Sequence, residues 1–333
     1  MSGFRVTLAC KHYDRTQAVI RGLVKAPGID LQVVEKTSVP EMFSGMFRGE
    51  YDASEMSLAE LVYYASRDQN DFIGIPVFPS RMFRHGFIFY NPSSGIEGPE
   101  SLEGRNLGFP RLVQTAVVWI RGILADEYHI QPDHTPCYFA SIHHWEDSAG
   151  THGVTPRDGS GILLLENGDD DVNETMNSAL MSGRIDALGT TQAPPAFLRG
   201  DGRVRRLFSD YGAAEASYFQ RTGIFPIMHV LVVRKAVLDG RPDLPERLFE
   251  IFARSRRLAN EWLRTDPSLG LVWKNRYIEE EERLLGGDPW AYGLRENDGV
   301  IEKFLSYCYA QGVSARPMEP RELFAPATWD LAE

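Results

Sequence analysis

The chain has 333 residues, room for two domains or one large bilobed unit, and its 43% hydrophobic and 24% charged content is that of an ordinary globular protein. A net charge of −11 argues against non-specific nucleic-acid binding but leaves room for a small anion at a local arginine cluster. Three scattered cysteines (Cys10, Cys137, Cys308) with no Cys-x-x-Cys give neither a disulfide framework nor zinc-finger spacing. The apolar stretch at the start is too short for a secretory signal, and no run approaches the ~20 apolar residues of a membrane span, so a cytoplasmic location is expected.

In chain order, Phe4–Ala9 reads as a strand. Asp14 can cap a helix over 15–25, and Gly28 closes that unit. Leu31–Val34 reads as a strand, Glu41–Arg48 as a helix stopped by Gly49, and Tyr51–Glu55 as a third strand. Ser57-Leu-Ala-Glu60 has the form of a capping box opening a helix toward Arg67. Phe72–Phe78 and Phe87–Tyr90 read as strands, and the β-α-β-α-β order predicts a largely parallel sheet. The pattern then repeats: strand Arg105–Phe109, helix Thr115–Tyr128, strand Ile162–Leu165, helix Met176–Ser182 and strand Ile185–Leu188. A polar, histidine-containing stretch fills 141–160. Two echoes link the halves. Ile20-Arg-Gly-Leu-Val24 matches Ile120-Arg-Gly-Ile-Leu124, and Arg48-Gly-Glu-Tyr-Asp-Ala53 matches Ser182-Gly-Arg-Ile-Asp-Ala187. Asp243 can cap a long helix to Arg264 with Leu248, Ile251, Phe252, Leu258, Ala259 and Trp262 on its apolar face, and Arg254, Arg256 and Arg257 on a solvated one. Ile301–Tyr309 is a further helix, and the Pro-rich tail from Arg316 is expected to wrap the surface.

The run Ile75-Pro-Val-Phe-Pro-Ser-Arg-Met-Phe-Arg-His85 stands out. Apolar residues stop at Pro79, and Arg81, Arg84 and His85 follow, as where a buried strand empties into a site. Guanidinium forks suit carboxylates, and an adjacent histidine can supply a proton near neutral pH. No Gly-x-Gly-x-x-Gly, P-loop or Gly-x-Ser-x-Gly sequence occurs. His143, His144 and His152, with Glu146 and Asp147, lack a metal-binding spacing, and no metal is expected.

Seven segments in order carry a resemblance: Thr7-Leu-Ala-Cys10 with Tyr13-Asp-Arg-Thr16, Ser54-Glu-Met-Ser-Leu58, Ile75–His85, Thr115–Tyr128, Gly223-Ile-Phe-Pro-Ile-Met-His229, Trp290-Ala-Tyr-Gly-Leu294 and Glu322-Leu-Phe-Ala-Pro326. The chain resembles the 4,5-dihydroxyphthalate decarboxylases. The resemblance implies an α/β, two-lobed, type 2 periplasmic-binding-protein-like fold, each lobe a mixed, mostly parallel sheet flanked by helices. Residues 1–92 and 226–333 would form one lobe and 93–225 the other, with the chain crossing near Tyr90–Gly95 and Ile224–His229, the C-terminal helices closing the first lobe, and the active cleft between lobes. The implied reaction is non-oxidative loss of one ring carboxylate in aromatic (phthalate) catabolism, giving 3,4-dihydroxybenzoate and carbon dioxide with no cofactor. The chain departs from the family's pattern at Arg111–Thr115 and Ala140–Glu146, which bears on the substrate's substituents.

Such a decarboxylase needs a ring-protonating acid, carboxylate anchors and an acceptor for a phenolic proton. Arg81 and Arg84 are the expected clamps, with Arg15 in support. His85 is the leading acid, with His229 and His12 as rivals, and Glu55 can accept a phenolic proton or orient a histidine. Ser54, Ser57 and Thr115 offer hydroxyls where helices begin, and Tyr13 and Trp119 can pack on the ring. Structural readings stand beside these: Asp14 and Ser57 as caps, Trp119 and His229 as core residues, Cys10 as a buried small hydrophobe. Binding of an aromatic acid without turnover, as in a sensor or solute-binding protein, is the alternative on the same fold. The expected partners are the small aromatic carboxylate and, in a homo-oligomer, further copies of the chain.

Overall fold

The computed structural model describes residues 3–69, 71–141, 156–165, 171–200, 202–266 and 270–333. The chain begins β1 (Phe4–Lys11), α1 (Asp14–Ile20), β2 (Ile29–Lys36), α2 (Val39–Phe47), β3 (Ala53–Ser57), α3 (Leu58–Ala65) and β4 (Phe72–Arg81). There follow β5 (Ile88–Tyr90), β6 (Leu107–Arg111), α4 (Thr115–Tyr128), β7 (Cys137–Ser141), β8 (Ile162–Leu164), α5 (Val172–Ser182), β9 (Ala187–Gly189), α6 (Pro195–Leu198), β10 (Arg205–Arg206) and α7 (Tyr211–Thr222). The last elements are β11 (Ile227–Arg234), α8 (Lys235–Leu238), α9 (Leu244–Thr265), α10 (Lys274–Leu285) and α11 (Asp298–Ala310).

The chain divides into two compact units, one of 1–81, 222–302 and 319–333, the other of 82–221 and 303–318. These bounds differ from the expected 1–92, 93–225 and 226–333. β5 pairs with β9 and β10, so it belongs to the second unit. Residues Lys303–Met318 also join that unit, where Phe304 and Tyr307 pack on Trp119 of α4 at ring distances of 5.3 and 5.7 Å.

In the first unit the sheet order is β2-β1-β3-β11-β4, with β11 antiparallel to both its neighbours. Val6, Leu8, Met56, Ile75, Leu231 and Val232 are fully buried in it. β11 lies where only a crossing was expected, and it completes the core. α9 runs as its periodicity predicts, burying Leu248, Ile251, Phe252 and Ala259. Arg256 corrects the reading of a solvated face: it is buried and bonded to Glu333 and Asp288. The tail is also more than a surface wrap. Phe324 is buried and bridges to Gly74, where an added Cβ would meet the Leu323 carbonyl at 2.7 Å.

In the second unit the order is β10-β5-β9-β6-β7-β8. Its run β7-β6-β9-β5 matches β2-β1-β3-β11: three parallel strands, then an antiparallel one. The second echo explains why. α2 and α5 are each followed by a left-handed glycine, Gly49 and Gly183, with φ of 84° and 74°. The aspartate that follows, Asp52 or Asp186, then accepts the N–H of Thr7 at 2.7 Å or Asn106 at 2.9 Å, tying the third strand of the unit to its first. The first echo is not structural, since Arg21-Gly22 ends α1 whereas Arg121-Gly122 lies inside α4.

α4 has the bounds the sequence predicted. Trp119 on it is fully buried against Phe304 and Tyr307, and a Cβ on Gly122 would strike the Tyr307 ring at 2.3 Å. Trp119→Ala is therefore expected to cost about 3–5 kcal/mol of stability, measurable by denaturant unfolding.

Candidate active site

In the first unit, β1 and β3 run parallel and end together, at Lys11 and Ser57. Side chains alternate along β3, so Glu55 and Ser57 share a face, and every β3 residue is buried. β11 crosses this end antiparallel, with His229 opposite Ser57 on one side and Ser80 on the other. The β4–β11 register shifts on both sides of His229. Such irregularities re-aim a side chain, and here the imidazole meets Glu55 diagonally across the ladder.

Glu55 is fully buried, and its Oε1 lies 2.5 Å from His229 Nδ1 and 2.7 Å from the Tyr13 hydroxyl. Its Oε2 accepts the Lys11 N–H at 3.1 Å. Burial alone would raise this carboxyl, but the bond and charge of His229, the Tyr13 hydroxyl and the Lys11 N–H outweigh it and hold it below the usual range. An ionised Glu55 only accepts, so Nδ1 carries its proton toward Glu55. The His229 side chain stays 18% exposed, and its other nitrogen, Nε2, has no partner among the described residues. Burial first, then the charge and bond of Glu55, push the Tyr13 hydroxyl up, and Ser80 also bonds it.

Arg15 adjoins this network. Its guanidinium lies 4.4 Å from the Tyr13 ring centre and 3.9 Å from the Trp290 ring centre. Nε donates to the Pro79 carbonyl at 2.5 Å and Nη1 to Asp14 at 2.9 Å, leaving Nη2 unused among the described residues. Arg81, expected as a clamp, instead holds the Trp290 segment. Its Nη2 donates to the Ala291 carbonyl at 3.0 Å and to Asn297, whose amide donates to the Gly293 carbonyl at 2.7 Å. Burial pushes the Arg81 guanidinium down to about 9, and it remains a cation at neutral pH.

No family model matches the chain. Against curated proteins it is 33% identical to a 4,5-dihydroxyphthalate decarboxylase of Comamonas testosteroni over 98% of each chain. The chain belongs to the 4,5-dihydroxyphthalate decarboxylase family. A second protein of that name, from Pseudomonas putida, is 27% identical over 66% of this chain and 83% of its own. Decarboxylases are carboxy-lyases, so the family is one of enzymes. Among solved structures, the alkanesulfonate-binding protein of Xanthomonas axonopodis pv. citri covers 99% of both chains with a TM-score of 0.53 and 14% identity. That likeness gives the family member its fold class, the expected periplasmic-binding-protein-like α/β architecture.

Within this decarboxylase family member, the first unit brings together Tyr13, Arg15, Glu55, Ser57 and His229. Ser54 points to the other face of β3 and donates to the Glu55 carbonyl at 2.9 Å. Tyr13, not Asp14, is the N-cap of α1, and Thr16 accepts its N–H at 2.8 Å. Ser57 occupies the N-cap position of α3, but its side chain makes no capping bond there, so the expected Ser57–Glu60 capping box does not form. Cys10 is fully buried, and burial, then Glu55 and Glu35, push its thiol up, which suits a small hydrophobe rather than a nucleophile. His12 follows β1 and is exposed, with its Nδ1 3.8 Å from Glu35.

The rest falls in the second unit. Thr115 opens α4 and is buried, and Trp119 is core rather than a stacking platform. Arg84 is buried too, with its guanidinium pushed down to about 10 by burial. His85, expected as the leading acid, has a different setting. Its ring is 2% exposed among Tyr128, Phe208 and Tyr218, and neither ring nitrogen has a partner among the described residues. Burial lowers it to about 4, so at neutral pH it is uncharged and has no imidazolium proton to give. Its folded value lies below the unfolded ~6.5, so the unfolded chain takes up the proton first. The associated stability, about 3 kcal/mol at most, is present above pH ~6.5 and lost as pH falls toward 4. His85→Phe is expected to flatten that part of the melting temperature's pH dependence.

Trp290, Asn297 and Ser80 were not assigned from sequence, although Trp290 opens one of the matching segments. A pocket of about 390 Å³ borders Arg15 and Trp290 without including Glu55 or His229, and its Arg256 and Arg264 are already paired with Asp288 and Glu282. Among the described residues no group of three or more His, Cys, Asp or Glu is placed to hold a metal ion. His143, His144, Glu146, Asp147 and His152 lie outside the described residues, as does most of the departing segment Ala140–Glu146. No helix among the described residues is long and apolar enough to cross a membrane.

Proposed function

We propose that the protein converts 4,5-dihydroxyphthalate to 3,4-dihydroxybenzoate and carbon dioxide. The observation that carries this reading is the bond between His229 Nδ1 and buried, ionised Glu55, in a member of a decarboxylase family. Arg15 Nη2 anchors a substrate carboxylate. The Glu55 carboxylate fixes the imidazole's tautomer and orientation, as an orienting carboxylate does for a histidine acid–base. Protonated His229 delivers its Nε2 proton to the ring carbon bearing the carboxylate. The hydroxyl para to that carbon pushes electrons into the ring. The bond to the carboxylate then breaks, its electron pair restores the aromatic ring, and carbon dioxide leaves. A solvent proton returns to His229, so each turnover consumes one proton and one carboxylate.

Carbon dioxide release from purified protein given 4,5-dihydroxyphthalate, with and without chelator, tests this. The expected result is release unchanged by chelator. Tight binding of the diacid without release would overturn the reading in favour of a binder or sensor. Release abolished by chelator would overturn His229-driven protonation as a sufficient mechanism and turn attention to His143, His144 and His152.

A further inference from the structure

Helix α10 has no buried residue, yet it and the residues before it carry large apolar side chains. Leu271 is 58% exposed, Val272 90%, Trp273 60% and Tyr277 50%. Trp273, Tyr277 and the half-buried Leu284 follow helical spacing, so they line one side of α10. Exposed apolar residues gathered in this way, rather than scattered singly, mark an interaction surface.

The charges on α10 indicate what covers it. Lys274 and Arg276 stand in its first turns and Glu279, Glu280, Glu281 and Glu282 in its later ones. That order is unfavourable for the helix itself, whose N-terminus prefers acids. Two antiparallel copies of α10 would reverse the disadvantage, each basic end meeting the other's acidic end. Arg276 and Glu280 flank the apolar side, and neither has an ion-pair partner among the described residues. A two-fold axis near Ile278 sets Trp273 against Leu284 of a second copy and Arg276 against its Glu280. Self-complementarity of this kind is the requirement of an isologous dimer.

We propose that α10 is a two-fold interface through which two copies of this chain associate. Sedimentation equilibrium of the full chain at micromolar concentrations tests it. The wild type is expected to dimerise, and Trp273→Glu with Tyr277→Glu to be monomeric with an unchanged circular dichroism spectrum. Arg276→Glu and Glu280→Arg, each bringing like charges together twice, are each expected to weaken the dimer by about tenfold or more. An equimolar mixture of those two variants restores both attractions, so it is expected to dimerise more tightly than either alone. A monomeric wild type, an unchanged mass for the Trp273/Tyr277 variant, or a mixture no tighter than its components would overturn the proposal.

Discussion

His229→Asn is expected to slow carbon dioxide release about 10²–10⁴-fold, the usual worth of a positioned acid–base group. Asparagine can still donate a hydrogen bond toward Glu55 from this strand position, so the ladder and the buried carboxylate keep a partner. Affinity for the aromatic diacid, measured by calorimetry, should change only a few-fold. Glu55→Gln should be next in severity. The imidazole keeps a hydrogen-bond partner but loses the acceptor-only carboxylate that fixes its tautomer. Tyr13→Phe should be milder, because Glu55 keeps His229 and the Lys11 N–H when the hydroxyl is gone. That ranking separates a proton-transfer role from a structural one, which would instead rank the variants by loss of melting temperature.

Arg15→Met is expected to lower kcat/KM about 10²–10³-fold, mostly through KM. A hydrogen bond to a charged group contributes roughly 1.5–3 kcal/mol, and here the anchor and its charge are lost together. Arg15→Lys keeps the charge but loses the planar fork and the stacking between Tyr13 and Trp290, and should recover only part of the loss. Trp290→Leu should raise KM while leaving kcat nearly unchanged. Asn297→Ala should do the same more weakly, since it reaches Arg15 only through Arg81 and the Trp290 segment. Steady-state kinetics on the four variants check the order.

Much of the fold was legible because local patterns agreed with tertiary demands. The bounds of α4 follow from its apolar periodicity, and the Gly-x-x-Asp-Ala echo marks a turn that both units use to tie strand three to strand one. β11 was not read, although Ile227–Arg234 is a nearly continuous apolar run after Pro226. A run of that kind fits a buried strand, and its first residues overlap the crossing expected at Ile224–His229. The sequence marks Glu55 as able to accept a phenolic proton or to orient a histidine, but it does not name the partner, because pairing His229 with Glu55 depends on an antiparallel strand from the far end of the chain. The surroundings of Arg81 and His85 were illegible in the sequence for one reason. A strand followed by Arg-x-x-Arg-His looks the same whether the cations meet a ligand, a backbone carbonyl or a wall of aromatic rings. Burial decides, and burial is a property of the distant residues Ala291, Asn297, Phe208 and Tyr218.

The most direct test sets the two histidines side by side. Single-turnover carbon dioxide release from 4,5-dihydroxyphthalate is measured for His229→Asn and His85→Phe, with substrate binding verified for each. His85→Phe is expected to stay within a few-fold of wild type while His229→Asn loses at least about a hundredfold. Full activity in His229→Asn, with the loss falling on His85→Phe, would contradict this and return the proton donor to the second unit.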